Sequence, residues 1–276
     1  MFTLNCKGKL LTITEPVVMG IMNITPDSFY GGSRMQGEDA WIAAADAMLK
    51  QGALIVDIGG QSTRPGSTAL DAAAEKERVI PAIRTIHQHF PEAILSVDTY
   101  HSAVAAVAVE AGASIVNDIS AGNMDPKMIP LVAEMQVPYI AMHMKGTPAN
   151  MDKHAVYEHV AMEVLDYFIA KTLELKEAGV QDVIIDPGFG FSKTVQQNFE
   201  LLKHLHVLKA LEKPMLVGLS RKSTIWKTLG ITPDEALNGT TVLNTIALQQ
   251  GASILRVHDV KEAVEAVRLY QACEKA

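Results

Sequence analysis

The sequence predicts an α/β protein, a (β/α)8 (TIM) barrel preceded by a short N-terminal β-hairpin. Eight short runs rich in β-branched residues alternate with longer Ala-, Leu- and Glu-rich stretches that have helical spacing. Such alternation is typical of parallel strands joined by crossover helices, and the 276 residues match the size of barrels of this kind. No linker, charge block or low-complexity tract divides the chain, so we expect one domain over residues 1–276.

A doubly wound open sheet is the rival architecture. That fold usually carries a Gly-rich dinucleotide fingerprint after its first strand. Here the first strand is followed by "NITPDSF", which contains no glycine. The barrel is therefore favoured.

The elements follow in order. Residues 2–14 alternate around Lys7 and Gly8, which predicts the hairpin. The predicted barrel strands begin at Val17, Leu54, Ala93, Ser114, Val137, Asp182, Lys213 and Ser253. Glycines that suit left-handed helix ends follow at Gly52, Gly112, Gly179 and Gly251. Pro81 predicts a kink or break in the second helix, and "TPDE" from Thr232 predicts a capping box with proline at the first helical position.

Composition restricts the class of partner and the compartment. With 24 basic and 31 acidic residues, the formal charge is -7, which argues against nucleic acid or an anionic membrane as the main partner. No run approaches the roughly 18 apolar residues of a membrane span, and the N-terminus has no signal-peptide pattern. Two distant cysteines, Cys6 and Cys273, are typical of free thiols in a reducing compartment. We therefore expect a cytoplasmic protein.

Polar residues end almost every predicted strand. They are Asn23, Asp57, Asp98, Asn117, Asp186, Ser220, Arg221, Lys222, Arg256 and His258. In a barrel these ends meet at one rim, where active sites lie. Since side chains two apart share a strand face, Arg256 and His258 are expected on one face. On the fifth strand either Met142 or His143 faces inward, and we favour Met142 as a wall for a flat apolar ligand.

These side chains suit a nitrogen heterocycle and an anion. Asp98, Asn117 and Asp186 can accept hydrogen bonds from several N–H groups on one ligand edge, while Lys222 can reach a ligand carbonyl. The planar guanidinium of Arg256 can stack on a ring or bind an anion. "SRKS" opens a helix and so favours a carboxylate or phosphate.

The loops add further candidate ligands. "QSTRPG" offers Thr63 and Arg64 on a loop that Pro65 stiffens. Asn23 supplies an oxygen suited to Mg²⁺, which leans on substrate phosphates.

The order of these motifs resembles that of the dihydropteroate synthases. "GIMNITPDSF", "DIGGQSTRPG", "SVDT", "VND", "HMKGTP", "DPGFGF", "GLSRKS" and "RVHDV" stand at the corresponding strand ends, from about Val17 to about Val260. The resemblance implies an enzyme that joins p-aminobenzoate to 6-hydroxymethyl-7,8-dihydropterin pyrophosphate, giving 7,8-dihydropteroate and pyrophosphate. It also implies a Mg²⁺ cofactor, sulfonamide inhibition and a homodimer.

The resemblance assigns each subsite. The implied pterin site consists of Asp98, Asn117, Met142, Asp186, Phe191, Gly218, Lys222 and Arg256. The implied pyrophosphate site consists of Asn23, Arg64, Arg256 and His258, with the metal at Asn23. The implied p-aminobenzoate site consists of Phe29, Thr63, Pro65, Phe191, Lys222 and Ser223. The implied catalytic residues are Asp98, Lys222, Arg256 and His258.

Two alternatives remain at this stage. A methyltetrahydrofolate-dependent corrinoid methyltransferase shares the barrel and parts of the pterin pocket, but has little use for "SRKS" or "STRPG". A pterin-binding protein without activity is the other. The amphipathic last helix, "VKEAVEAVRLYQA", suits either a dimer interface or a cover for the barrel.

Overall fold

The computed structural model describes residues 1–24, 34–61 and 70–276. The chain begins with an antiparallel hairpin of β1 (Phe2–Cys6) and β2 (Lys9–Ile13). Its two turn residues both have positive φ, 54° at Lys7 and 87° at Gly8. Such a turn matches the right-handed twist of the strands on either side. The predicted hairpin is confirmed.

The next strands form a closed parallel barrel. They are β3 (Val17–Asn23), β4 (Ile55–Gly59), β5 (Ile94–Asp98), β6 (Ile115–Asp118), β7 (Tyr139–Met142), β8 (Val183–Asp186), β9 (Leu216–Val217) and β10 (Ile254–Val257). Their order in the sheet is β8-β7-β6-β5-β4-β3-β10-β9. A bridge between Ile185 and Met215 joins the two ends. All eight predicted strands and the predicted barrel are confirmed.

Helices surround this barrel. In the described chain they are α1 (Arg34–Gln51), α2 (Ala72–His89), α3 (Ser102–Ala111), α4 (Met128–Met135), α5 (Val160–Glu177), α6 (Val195–Lys203), α7 (Ser223–Leu229), α8 (Leu237–Gln250) and α9 (Val260–Glu274). The glycines predicted to end helices all have positive φ: Gly52, Gly112, Gly179 and Gly251. α9 packs on α8, α1 and β3 and so covers the barrel. None of the described helices is long and apolar enough to cross a membrane.

The helix punctuation differs from the prediction in two places. Pro81 lies inside α2, so of the predicted kink or break, the break does not occur. Proline leaves the carbonyl four residues earlier without its helical bond; that residue, Glu77, is exposed, and water can replace the bond. Glu235 does accept hydrogen bonds from the backbone and hydroxyl of Thr232, at 2.9 and 2.8 Å. That pair closes a turn, because α8 begins only at Leu237.

One end of the barrel is filled by apolar side chains. Each strand contributes one inward residue to this layer: Met19, Ile55, Ile94, Ile115, Ile140, Ile184, Leu216 and Ile254. Beneath them lie Leu4, Cys6, Leu11 and Ile13 of the hairpin. The hairpin therefore plugs the N-terminal end, and burial of each large side chain stabilises the fold by about 1.5–3 kcal/mol. The C-terminal end of the barrel is therefore the end at which a ligand can enter.

Candidate active site

The inward positions change character two residues further along each strand. There the apolar layer gives way to Ile21, Asp57, Ser96, Asn117, Met142, Asp186, Gly218 and Arg256. The parallel register pairs Asp57 with Ser96 and Met142 with Asp186 on neighbouring strands. Side chains two residues apart share a strand face. The inward positions therefore form an apolar layer first and a polar layer one step further along the strands. Asp98 lies one further step up β5, on the same face as Ser96.

Met142 faces the interior, as favoured from the sequence. Ile140, two residues before it, belongs to the buried layer of the barrel end. Met142 itself packs with Tyr100, Ile119, Met144 and Met151, and the half-buried Phe191 lies against this group. His143 takes the opposite face and is buried behind the strand. An apolar wall therefore stands beside the polar groups, as a flat ring requires.

Arg256 links three strands through two carboxylates. Its Nε donates to Asp57 Oδ2 at 2.6 Å and its Nη2 to Asp98 Oδ2 at 2.5 Å. Asn117 Nδ2 also donates to Asp57 Oδ2, at 3.1 Å. Asp57 is fully buried and so anchors two neighbours from below. The sequence analysis placed Asp57 at the rim without a role; its signal was its position two residues after the inward Ile55.

Asp186 and Lys222 face each other across the pocket. Gly188 N donates to Asp186 Oδ1 at 2.8 Å, and no described residue donates to the other carboxylate oxygen. Lys222 Nζ donates to the carbonyl of Phe189. It also lies 4.9 Å from the centre of the Phe191 ring. These contacts leave one carboxylate oxygen of Asp186 for a ligand and fix the ammonium group nearby.

Gly218 keeps the floor open between the two cations. A Cβ at this position would lie 3.8 Å from Lys222 Nζ and 4.0 Å from Arg256 Cβ. Any side chain longer than a methyl group would therefore grow into the space between the two. The glycine is an open part of the pocket surface.

Buried charges perturb one another here. Burial raises the pKa of Asp98 to about 7, with Arg256 opposing and Asp57 adding to the rise. Burial also raises the pKa of Asp186, against the effect of Lys222. Burial lowers the pKa of Lys222 to about 8, although Asp186 opposes it. Burial disfavours the charged form of Arg256 too, but Asp57 and Asp98 outweigh it and raise its pKa.

Perturbed pKa values of this kind are typical of functional sites. Burial raises the pKa of both Asp98 and Asp186, so their charged forms are disfavoured in the ligand-free pocket. A ligand that donates N–H groups would stabilise the carboxylates where water is excluded. The pocket therefore suits a ligand that presents several hydrogen-bond donors along one edge.

Ser220, Ser223 and His258 lie at the exposed rim. Ser220 Oγ accepts from His258 N at 3.1 Å and lies 3.0 Å from His258 Nδ1. The Ser220 hydroxyl can donate its own proton to His258 Nδ1. In that arrangement the imidazole ring carries its proton on Nε2. Ser220 is one of the polar strand-end residues that the sequence analysis named. Ser223 stands at the first position of α7.

Arg221, between the two, turns away from the pocket. It makes a bidentate pair with Asp259 at 2.9 and 2.8 Å. It also donates to the carbonyls of Pro233 and Asp234. Its backbone has a φ of 54°. Arg221 ties the loops after β9 and β10 together and so holds Ser220 and Lys222.

Asp118 also proves structural. Its carboxylate accepts from Ser120 N, Ser120 Oγ, Gly122 N and Tyr139 Oη. Asp118 does not cap a helix, since α4 begins only at Met128; it holds the turn after β6.

The described structure brings most of the predicted site together. Asp98, Asn117, Met142, Asp186, Phe191, Gly218, Lys222 and Arg256 surround one pocket, with Asn23, Ser223 and His258 at strand ends or loops of the same rim. Phe29, Thr63, Arg64 and Pro65 lie outside the described residues. The roles of all these residues stay predictions.

Comparisons with known proteins agree with this geometry. Residues 19–258 match the family model described as "Pterin binding enzyme". The dihydropteroate synthase of Escherichia coli (strain K12) is 41% identical over 268 residues, covering 96% of this chain and 94% of the relative. The chain belongs to the dihydropteroate synthase family.

Solved structures of the family superpose closely. The Xanthomonas albilineans dihydropteroate synthase with 4-aminobenzoic acid has a TM-score of 0.92 and 39% identity, covering 99% of this chain and 98% of that one. The Yersinia pestis dihydropteroate synthase in a sulfonamide drug complex has a TM-score of 0.93 and 38% identity, covering 100% of both. The family, fold and synthase function predicted from the sequence are confirmed.

The surroundings of Asn23 suit a metal ion with few protein ligands better than a site in which protein ligands fill the coordination shell. Asn23 is the exposed last residue of β3, and its side chain makes no hydrogen bond to another described residue. No three His, Cys, Asp or Glu side chains within the described chain are grouped to hold a metal ion. Mg²⁺ often takes only one or two protein oxygens and completes its shell with water and substrate phosphates. The donor set in this family's pocket fits Mg²⁺ that arrives with a phosphorylated substrate.

Asp98 is expected to make the unfolding free energy of the ligand-free protein depend on pH. Its folded pKa of about 7 lies above its usual value of 3.8. Its stabilising contribution is therefore complete below about pH 4 and lost as the pH rises through about 7, at about 1.4 kcal/mol per unit of pKa difference. Urea titrations of the wild type and Asp98→Asn measure it. The wild type's relative stability should fall as pH rises, and a constant difference would contradict the assignment.

Proposed function

We propose that this rim pocket, within one domain of residues 1–276, is where the chain condenses 6-hydroxymethyl-7,8-dihydropterin pyrophosphate with p-aminobenzoate. The products are 7,8-dihydropteroate and pyrophosphate. The observation that carries the assignment is the inward ring of acceptors, Asp98, Asn117 and Asp186, facing Lys222 and Arg256 beside an apolar wall. A pterin has the complementary pattern, with N–H donors on one edge of a flat ring and a carbonyl near them.

The pterin ring would bind deepest. Because Asn117 Nδ2 donates to Asp57, its carbonyl oxygen is left for a ligand donor. Asp186 would accept two N–H bonds and Asp98 another, while Lys222 would donate to the ring carbonyl. Met142 and Phe191 would pack on the ring, and Gly218 would leave it room. Arg256 would stack on the opposite face.

The pyrophosphate would lie at the exposed rim. Arg256 and His258 would donate to its oxygens, together with Arg64 and Asn23. Mg²⁺ held at Asn23 would neutralise part of the charge on the leaving group. The arrangement concentrates positive charge where negative charge develops.

The p-aminobenzoate would bind last, above the pterin. Its carboxylate would accept from Ser223 and Lys222 at the start of α7, and its ring would pack against Phe191. Phe29, Thr63 and Pro65 would complete this subsite from the two loops that lie outside the described residues. Sulfonamides, which mimic p-aminobenzoate, would compete here.

Catalysis would depend on positioning and electrostatics. The bond between the pterin methylene and its oxygen breaks, and the electron pair leaves with pyrophosphate. Asp98, when ionised, stabilises the cationic pterin that results, while Arg256 and His258 stabilise the leaving group. The neutral aniline nitrogen then forms the new C–N bond and loses one proton. An aniline needs no strong base for this attack, so the site provides orientation.

A reconstitution assay tests the function. Purified protein is incubated with Mg²⁺, p-aminobenzoate and the dihydropterin pyrophosphate, and dihydropteroate is measured by mass. Product is expected only when all three are present. Absence of product from a folded protein that still binds the pterin would contradict the proposal. Methyl transfer from methyltetrahydrofolate to a corrinoid would then identify the alternative activity, and its absence a binding protein.

We also propose a cytoplasmic homodimer. α9 buries Val260, Ala263, Ala266 and Val267 against the barrel, so its apolar face is already used. α5 instead exposes Met162, Ile169 and Leu173 at spacings of one helix face. Light scattering after size exclusion measures the mass in solution.

A further inference from the structure

Lys193 is a buried ammonium group outside the pocket. It follows the loop of residues 187–192 after β8 and is 8% exposed. Its Nζ lies 3.0 Å from the Gly188 carbonyl, 3.1 Å from the Phe191 carbonyl and 3.0 Å from His143 Nδ1. An ammonium group has three N–H donors, and here each has a neutral acceptor. This is a complete hydrogen-bond site without a direct carboxylate partner.

His143 supplies the third acceptor because it is uncharged. Burial, with the charges of Lys193 and Lys145 adding to its effect, lowers the pKa of His143 to about 2. A neutral imidazole that accepts at Nδ1 carries its proton on Nε2. An edge-on contact with Tyr167, 4.8 Å between ring centres, holds the ring in place. The end of β7 is thereby connected to the loop after β8.

The loop that Lys193 holds carries pocket groups. Gly188 accepts from Lys193 through its carbonyl and donates through its N–H to Asp186 Oδ1 at 2.8 Å. Within the same loop, the Phe189 carbonyl receives Lys222 Nζ. A Cβ on Gly188 would lie 2.0 Å from the carbonyl oxygen of His143, so this loop is closely packed on β7. A shift of the loop would move both Asp186 and Lys222.

We propose that Lys193, seated on His143, is a positioning residue that fixes the 187–192 loop and through it the orientation of the Asp186 carboxylate. The proposal rests on the pterin site proposed above. Lys193 acts through Gly188 and does not contact substrate.

The energetics favour this role over a purely structural one. Burial lowers the pKa of Lys193 to about 7; Asp186 opposes that shift, and Lys222 and Lys145 add to it. A buried cation without a salt-bridge partner costs stability, and an apolar side chain of similar length would cost less. What such a side chain lacks is the three directed bonds, two of which orient loop carbonyls while the third ends on His143.

Lys193→Met tests the proposal. The dissociation constant for the dihydropterin pyrophosphate, measured by calorimetry without p-aminobenzoate, is expected to rise about tenfold, the effect of losing one hydrogen bond to a charged group. The matched control is Lys145→Met, because the side-chain ammonium of Lys145 donates to Val156 O and Glu163 and to no described atom of this loop. The control should stay within about twofold of wild type. Equal effects of the two substitutions would overturn the proposal.

A double-mutant cycle separates positioning from general loss of structure. If Lys193 acts through Asp186, Lys193→Met should cost much less in an Asp186→Asn background than in the wild type. Additive effects would overturn the route through Asp186. If Asp186→Asn alone leaves pterin affinity unchanged, the proposed pterin site fails instead, so the two failures are distinguishable.

Nitrogen NMR of wild-type His143 provides a test that needs no variant to fold. A neutral ring with its proton on Nε2, unchanged between about pH 5 and pH 8, is the expected result. A proton on Nδ1, or titration within that range, would overturn the contact with Lys193.

Discussion

Asp186→Ala is expected to weaken binding of the dihydropterin pyrophosphate at least about a hundredfold, because two charge-assisted hydrogen bonds are lost together. Asp186 is 7% exposed, and Gly188 N holds one of its oxygens. Removing the carboxylate leaves the ligand's N–H groups without acceptors in a place that water reaches poorly. It also removes the acceptor charge opposite Lys222. Calorimetry on the purified variant measures the loss.

The same substitution should leave the fold intact. Burial raises the pKa of Asp186, which means that the ionised carboxylate is unfavourable in the ligand-free protein. Removing that charge relieves its burial cost, while Lys222 and Gly188 N each lose a partner, so the variant should stay folded with an unfolding free energy within about 1–3 kcal/mol of wild type. Unfolding of the variant would leave its binding loss uninterpretable, and Asp186→Asn, nearly equal in size, then takes its place.

Asp182 offers a control on the same strand region. It lies just before β8, at the plugged end of the barrel, where its carboxylate accepts from Asn5 N at 2.6 Å. Asp182→Ala removes the same chemical group far from the rim and should leave pterin affinity unchanged. Equal losses from Asp182→Ala and Asp186→Ala would count against a ligand at the rim.

Strand periodicity made much of the site predictable. Counting two residues at a time along the last strand placed Arg256 and His258 on one face. Met142 followed from the same count once Ile140 was taken as inward. Parallel strands in a barrel must end at one rim, so residues far apart in sequence could be grouped without any knowledge of loops. The named substrates came only from the resemblance of the ordered motifs.

Contacts made across the fold were not predictable in this way. Nothing in the local sequence around Lys193 predicts that Gly188, Phe191 and His143 surround its side chain. Asp57 gained its role only when the barrel brought Arg256 beside it, 199 positions later in sequence. Thr232 had the correct local pattern, yet tertiary packing started α8 at Leu237. The local sequence determines which side chains stand at each strand end, whereas closure of the barrel determines which of these side chains come into contact.

Arg256→Met is expected to lower kcat/KM about a thousandfold, the upper range for removing one preorganised donor from developing negative charge. The substitution also leaves Asp57 and Asp98 buried without their shared cation. Arg256 lowers the pKa of Asp98, so its loss should push that pKa above about 7 and protonate Asp98 at neutral pH. Steady-state kinetics from about pH 6 to pH 9 should show the optimum moved to higher pH.

Arg256→Lys separates charge from geometry. Lysine keeps the positive charge but cannot reach Asp57 and Asp98 with two arms of one planar group. We expect it to restore the pH optimum while recovering only part of kcat/KM. Full recovery would show that charge alone is sufficient and would contradict a positioned guanidinium. Exposed Arg268 on α9, replaced by Met, is the matched control and should change neither quantity.

Stability and catalysis should respond differently to a compensating change. Breaking a buried ion pair by removing one partner costs about 3–5 kcal/mol, because the other charge stays buried. Adding Asp57→Asn to Arg256→Met removes that stranded carboxylate, so urea denaturation should show most of the stability regained. Activity should stay low, since no guanidinium faces the pyrophosphate. Recovery of activity along with stability would mean that Arg256 serves the fold alone, and the leaving group would then need another cation at the rim.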